Sequence, residues 1–422
     1  MSTEEVVEDE ITYYVFVKEG RRHFAPQYMA AGATTVQHIF PVPESNAVGT
    51  LDKENNGIAF VKFGGFGMEP ECKVVAKDLC SEADETDFNC KFSSNFSEDT
   101  IVYSQNQIAV IANVKTGEAF HAGCGLSLDD YMLGIWFLDP QKNMFVIIKS
   151  IYKENSGWED SLHIVKLKDQ QFVDTAWAVL LKEPRYISSD FSQHQTWLVH
   201  NKNLFVYDQS NHHILCTNGE QSVPHPFAET FNNNSDRIGR VKDFLIHPKL
   251  PFGVIIEERA ADIHDLTVLR WDITNPKKRD EQVVSFNEEL EPLKSLFDLK
   301  SVTLAYQSFS PDGNWYVAGC ISPDAPESPH FIAIPVTPVD EDTPDFFDMD
   351  DIVVLGQVEN MTSLAWTSEP SSYVVSNGEI LNKWDFGELP NARVFVMPGE
   401  DDGTKKKTSI FRKAGRLFGI GR

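Results

Sequence analysis

The chain has 422 residues, of which 41% are hydrophobic and 11% aromatic, with 29 Phe; this supplies a large packed core and excludes a mostly disordered polymer. The formal net charge is -26, and seven of the 37 Lys and Arg residues fall in the last 18 positions. The body that remains holds 30 basic residues against 63 acidic ones, a balance that repels phosphate backbones, argues against nucleic-acid binding and favours basic partners.

Residues 1–10, MSTEEVVEDE, have neither the basic region nor the apolar core of a secretory signal and read as an acidic disordered N-terminus. ITYYVFV (11–17) follows as a first strand. IFPVPESNAVGTL (39–51) with GIAFVKF (57–63) then introduces a unit that recurs along the chain: an apolar run, a polar turn, a second apolar run, another turn and a third run. Further copies are SNFSEDTIVYS (94–104) with IAVIANV (108–114), and WFLDPQKNMFVIIKS (136–150) with LHIVKLK (162–168). SDFSQHQTWLV (189–199) with LFVYDQ (204–209) and FLIHPKLPFGVIIEE (244–258) with LTVLRWDI (266–273) continue the series. The clearest copy is Ser308-Phe309-Ser310-Pro311-Asp312-Gly313 before WYVAGC (315–320) and HFIAIPV (330–336), where Pro sets φ, Asp bonds its own backbone and Gly accepts positive φ. LAWTSEPSSYVV (364–375) with ILNKWDF (380–386) is the last copy, followed by ARVFVMPG (392–399).

The turns fall near residues 43, 97, 139, 192, 247, 310 and 368, each interval holding three or four short strands. Radially repeated sheets of that period predict an all-β, seven-bladed β-propeller of four-stranded antiparallel blades over residues 11–398, with linker and tail at 399–422. The terminal strands 11–17 and 392–399 are the two candidates for the outer strand that closes the ring, since an uncovered edge templates aggregation. No stretch reaches the ~18 apolar residues that span a bilayer, and the cytosol is the expected compartment.

FSPDGNWYVAGC, LTVLRWDI and ILNKWDF resemble the WD40-type repeat family, in which the first strand of a blade leads into an S-P-D-G-like turn and the third ends in Trp-Asp. Trp271-Asp272 and Trp384-Asp385 give that dipeptide, with Tyr207-Asp208 as a variant, whereas the Gly-His pair of the family is missing from every copy. The resemblance covers most of residues 35–398 and implies the propeller fold.

Little in the sequence points to catalysis, and no cofactor is expected. Cys72, Cys80 and Cys90, with Cys124 beyond, are spaced too widely for the C-x2–4-C pairs of zinc sites and read as free thiols, as do Cys216 and Cys320 in a reducing compartment. There is no G-x-S-x-G elbow, and Gly64-Gly65-Phe66-Gly67 lacks the pattern of a nucleotide loop. The alternative of a metal-assisted propeller hydrolase or lyase would rest on His212, His213, His247 and His264, set by inter-strand loops at the mouth of the channel, although no two of them show a metal-ligand spacing.

Two segments are the expected partner contacts. One is the acidic run 339–351, VDEDTPDFFDMDD, read as an exposed loop in which Phe346 and Phe347 offer apolar area and the acids steer a basic partner. The other is the tail. On a helix, Ile410, Phe411, Ala414, Leu417 and Phe418 share one face, while Lys405, Lys406, Lys407, Arg412, Lys413 and Arg416 supply a basic complement. So short a helix, weakened by Gly415 and Gly419, orders only on a partner: a groove in a larger assembly, an anionic membrane surface, or the chain's own acidic body. The expected function is a non-catalytic protein-interaction scaffold in which the tail and a second contact act bivalently.

Overall fold

The computed structural model describes strands between Tyr13 and Val396; residues 1–12, 31–38, 64–70, 77–98, 181–196, 230–239, 285–296, 337–346 and 397–422, with shorter stretches, lie outside the described residues. Pro140–Lys142 is a 3-10 turn, Asp351 is in 3-10 conformation as well, and the other regular elements of the described residues are strands.

These strands fall into consecutive antiparallel meanders. Blade one is Ile39–Pro41, Ala47–Asp52, Gly57–Lys62 and Glu71–Ala76. Blade two shows three described strands, Thr100–Gln105, Ile108–Asn113 and Ala119–Gly123. Blade three, with the longest strands, is Tyr131–Asp139, Met144–Lys153, Gly157–Lys168 and Gln171–Leu180. Blade four is Trp197–His200, Asn203–Asp208, His213–Thr217 and His225–Glu229. Blade five is Arg240–Ile246, Phe252–Ala260, Ile263–Asp272 and Asn275–Val284. Blade six is Thr303–Phe309, Trp315–Ser322, Ala325–Pro335 and Val353–Gln357. Blade seven is Ser363–Trp366, Ser372–Ser376, Ile380–Asp385 and, from the other end of the chain, Gln27–Ala30.

The first strand of blade three lies beside the first strands of blades two and four, that of blade four beside that of blade five, and that of blade seven beside that of blade one. First strands gathered around an axis, with each sheet running outward, make the chain a β-propeller. A blade covered on both faces needs apolar side chains on both, so its middle strands are continuous apolar runs rather than alternating ones. Tyr316, Val317, Ala318, Gly319, Cys320 and Ile321 are all buried, as are Phe331, Ala333 and their neighbours on the next strand.

Core clusters accordingly lie between blades. Val102, Ile111, Phe145, Val165 and Phe172 join blades two and three. Val146, Leu162, Ile164, Leu204 and Val206 join three and four, with Trp136 and Trp197 edge to face at 4.4 Å. Phe331, Leu355, Tyr373 and Trp384 join six and seven. Each fully buried aromatic of this kind contributes about 2–3 kcal/mol.

Closure differs from the expectation. Neither 11–17 nor 392–399 supplies the outer strand of the last blade; Gln27–Ala30 does, antiparallel to Ile380–Lys383. Tyr13–Lys18 instead pairs in parallel with Ala392–Val396, and Arg21–Phe24 pairs with Tyr13–Lys18 on one side and with blade six on the other. QYMA has no apolar alternation to mark it as a strand, and a closing strand is selected by backbone register rather than by pattern. On the inner side Ser363 Oγ accepts from Ile39 N–H at 2.8 Å, which ties blade seven to blade one.

Trp271-Asp272 and Trp384-Asp385 both end third strands, as the repeat resemblance implies. Tyr207-Asp208 does not: it ends the second strand of blade four. The dipeptide there is an accident of a strand end, not the repeat signature.

Candidate functional site

The Ser310–Gly313 turn shows how this fold uses the polar residues at its blade ends. Ser310 Oγ donates to Asp312 Oδ1 at 2.5 Å and accepts from Trp315 N–H at 3.0 Å, and Asp312 Oδ1 accepts from Asn314 N–H at 3.1 Å. Gly313 has φ +78°, and its carbonyl faces the imidazole of His247 from the corresponding turn of blade five, with Nε2 at 2.9 Å. His247 Nδ1 accepts from Lys249 N–H at 3.1 Å and Leu250 N–H at 2.9 Å. The ring is therefore the neutral tautomer with its proton on Nε2, donated to Gly313. Burial holds its pKa below the ordinary histidine range. His247 is thus a buried clasp between blades five and six, not a metal ligand at a channel mouth, and both nitrogens are committed to backbone. His213 and His264 sit on third strands of blades four and five, and His212 lies outside the described residues. Among the described residues no group of three or more His, Cys, Asp or Glu is placed to share a metal ion.

Burial pushes the Cys124 and Cys216 thiols up to about 11 and Cys320 up to about 12, so these three free cysteines are poor nucleophiles. Cys72 is on the fourth strand of blade one, while Cys80, Cys90 and Gly64, Gly65 and Gly67 lie outside the described residues.

The partner contacts read from sequence fare unevenly. The tail residues Lys405, Lys406, Lys407, Ile410, Phe411, Arg412, Lys413, Arg416, Leu417 and Phe418 lie outside the described residues, as does Phe346. Phe347 is not an exposed docking aromatic. It is 4% exposed, bridges Val336 and packs on Tyr316 at 5.0 Å, anchoring the end of the acidic run to blade six. Pairing with an edge residue let the ring enter the core, which composition could not show.

Two clusters that sequence reasoning missed stand on opposite faces of blade three. On the face toward blade two, Lys149 Nζ bonds both carboxylate oxygens of Asp174, at 2.9 and 2.8 Å. His163 Nδ1 lies 3.4 Å from the same carboxylate, and its Nε2 meets Ser161 Oγ at 2.8 Å. Burial, with the Lys149 charge second, holds His163 below the usual histidine range. Ser, His and Asp are the residue types of a nucleophilic triad, but here both oxygens of the carboxylate are taken by an ammonium, and the group acts as a polar brace within blade three.

The other face carries the candidate binding site. Its inner part is the stripe Val146, Ile148, Leu162 and Ile164, buried against blade four. The second strand of blade three runs 10 residues, whereas that of blade four runs 6. Among the described residues, at about 3.3 Å per residue, the strand of blade three outruns that of its neighbour by about 13 Å. The excess falls at the hairpin end, because Lys202 of blade four meets Asp139 of blade three at the opposite end, at 3.2 Å.

On that overhang stand Tyr131, Tyr152 and Trp158, 42%, 53% and 44% exposed. Tyr152 and Trp158 are a cross-strand pair with rings 5.4 Å apart, and the ring of Tyr131, on the first strand of the blade, also lies 5.4 Å from that of Trp158. Among the described residues these are three of the five exposed large hydrophobics, the others being Val173 and Ile380. The next row inward is Tyr131, Ser150 and Asp160, directly paired across the sheet. Ser150 and Asp160 are 6% and 5% exposed. Among the described residues no hydrogen bond or ion pair reaches the Asp160 carboxylate. Asp130, just before Tyr131, accepts from Tyr152 N–H at 3.2 Å; the Ser127 hydroxyl on its other oxygen holds its pKa below the ordinary value. Lys153, the cation at the hairpin tip, pairs with Glu159, and alternation along the strands puts both on the other face.

One sequence signal could have found it: aromatics flanking the KENSG hairpin tip, and a carboxylate at the buried beat of the stripe Trp158, Asp160, Leu162, Ile164.

No protein-family model and no curated protein matches this sequence. Among solved structures, the chain is similar to one described as the mitotic checkpoint complex, with TM-score 0.46 and 9% identity over 86% of this chain and 95% of that one. It is also similar to the C-terminal WD40 domain of Sif2, with TM-score 0.44 and 10% identity over 86% and 100%. A third is the major Malassezia sympodialis allergen Mala s 1, with TM-score 0.38 and 13% identity over 71% and 95%. Likeness at this level carries no functional inference, and the fold assignment rests on the sheets described above.

Proposed function

We propose that this chain is a non-catalytic protein-interaction scaffold, an acidic propeller that joins a larger cytosolic assembly through its blade surfaces and its basic tail, 405–422. The observation that supports this best is the overhang of blade three, where Tyr131, Tyr152 and Trp158 stand uncovered together at 42%, 53% and 44% exposure. Tyr and Trp are the residues that dominate binding energy at protein interfaces, and isolated exposed apolar side chains need no explanation whereas a cluster does. The tail would add a second, tethered contact that raises the effective concentration of the first.

A photo-crosslinking amino acid at position 152, in full-length protein in its own cells, tests this. A discrete protein adduct, weakened by Trp158→Ala and by truncation after residue 403, is the expected result. Absence of any adduct dependent on Trp158 would refute the blade-three contact. Sedimentation of the same pair of lengths with anionic liposomes separates a protein role for the tail from a membrane role.

A further inference from the structure

We infer that the aromatic surface of blade three receives a cationic side chain, a lysine ammonium or arginine guanidinium presented by a basic segment of a partner protein. The inference rests on the scaffold reading and supplies the chemistry of its partner. Three observations carry it.

The first is the set of rings. Tyr131 and Tyr152 each lie 5.4 Å from Trp158, tilted by 46° and 63°. Their faces present the negative part of the ring quadrupole, which attracts a cation and discriminates against an anion. The second is Asp160. It shares the face of Trp158, two residues inward, is 5% exposed, and its carboxylate has no partner among the described residues. A carboxylate that no protein group among the described residues engages on this face gives an arriving cation a charge to pair with. A neutral ligand would gain nothing from that charge, and an acidic one would be repelled by it. Ser150, paired across the sheet with both Tyr131 and Asp160, puts a hydroxyl in the same row. The third is charge. The chain carries a formal net charge of -26, which steers cations toward it, and Lys153 is held away by Glu159.

A segment suits this site better than a free small cation. The rings stand on an open sheet, 42–53% exposed, and do not enclose a cavity. A small alkylammonium would bury little surface there, whereas a segment adds contacts along the strand edge that offset the cost of association.

The test is selection of a random 12-residue phage-displayed peptide library on the full-length protein, in parallel with its Trp158→Ala variant. Binding of the enriched synthetic peptides is then measured by fluorescence anisotropy. The expected result is enrichment of Lys- or Arg-bearing peptides on the native protein. Their affinity should fall at least tenfold with Trp158→Ala or Asp160→Asn and recover largely with Trp158→Phe. Replacing the central arginine by citrulline should cost as much. Peptides that depend on Trp158 but carry no cation would overturn the inference while leaving the scaffold reading in place. Basic peptides that bind Trp158→Ala equally well would overturn it too, because bulk charge would then explain them. If no peptide depends on Trp158, the inference and the blade-three contact fall together. Trp158 is 44% exposed, so its variants should fold, and circular dichroism of Asp160→Asn checks that its fold is kept.

Discussion

Replacing Gly313 by Ala attacks the clasp between blades five and six in two separable ways. The residue sits at φ +78°, where an L side chain costs about 1–2 kcal/mol. A Cβ there would also stand 2.2 Å from His247 Cε1 and 2.3 Å from Nε2. His247 is 2% exposed and cannot move aside without releasing the amides of Lys249 and Leu250 and the carbonyl of Gly313. At about 1 kcal/mol net for each lost hydrogen bond, displacement adds about 2–3 kcal/mol. Gly313→Ala should therefore destabilise by about 3–5 kcal/mol. In a His247→Ala background the clash is gone and only the backbone cost of about 1–2 kcal/mol remains. A double-mutant cycle by urea denaturation, followed by tryptophan fluorescence, should thus show the pair coupled by about 2 kcal/mol. Additivity within about 0.5 kcal/mol, or a Gly313→Ala cost below about 1 kcal/mol, would refute the assignment of His247 as an inter-blade clasp.

Three further expectations follow from the same contacts. Burial holds His163, His200, His247 and His330 below the ordinary histidine pKa; unfolded, they take up protons near pH 6.5 while the folded chain does not, so stability is full above that pH and falls as pH drops below it. Each such group contributes at most about 1.4 kcal/mol per pH unit. His247→Asn, which can still accept the two amides, should flatten the fall in urea midpoint between pH 7 and 5.5, and unchanged slopes would contradict this. Asp174→Asn strands the Lys149 ammonium, 7% exposed, whereas Lys149→Met leaves a carboxylate that is 49% exposed and can be hydrated. The first should cost about 2 kcal/mol and the second under about 1 kcal/mol, by the same denaturation measurement. Finally, Asp160→Leu removes the carboxylate from the face of Trp158 and should abolish binding of basic peptides while changing stability by less than about 1 kcal/mol; a larger loss in the urea midpoint would mean that Asp160 serves the fold.

Blade six was the most legible part of the chain because its signals are local. Ser310, Pro311, Asp312 and Gly313 each carry their turn preference within four residues, and the buried runs beside them are continuous. The aromatic site was half legible. Tyr152 and Trp158 flank a hairpin tip, but their exposure depends on the length of the neighbouring blade, and Asp160 becomes unusual only when its surroundings offer it no partner.

Sequence by itself determined that this chain is a succession of short strands around polar turns, acidic in its body and basic at its end, since strand period, turn chemistry and charge are all written residue by residue. Tertiary structure alone decided that Gln27–Ala30 closes the ring, that Phe347 is inside and His247 spans two blades, and that the stripe of blade three emerges uncovered. Each of those depends on pairing between segments far apart in the chain, such as Gln27–Ala30 with residues 380–383. Such pairings are set by backbone hydrogen bonds and by which surface happens to cover another, and neither leaves a mark on the residue types themselves.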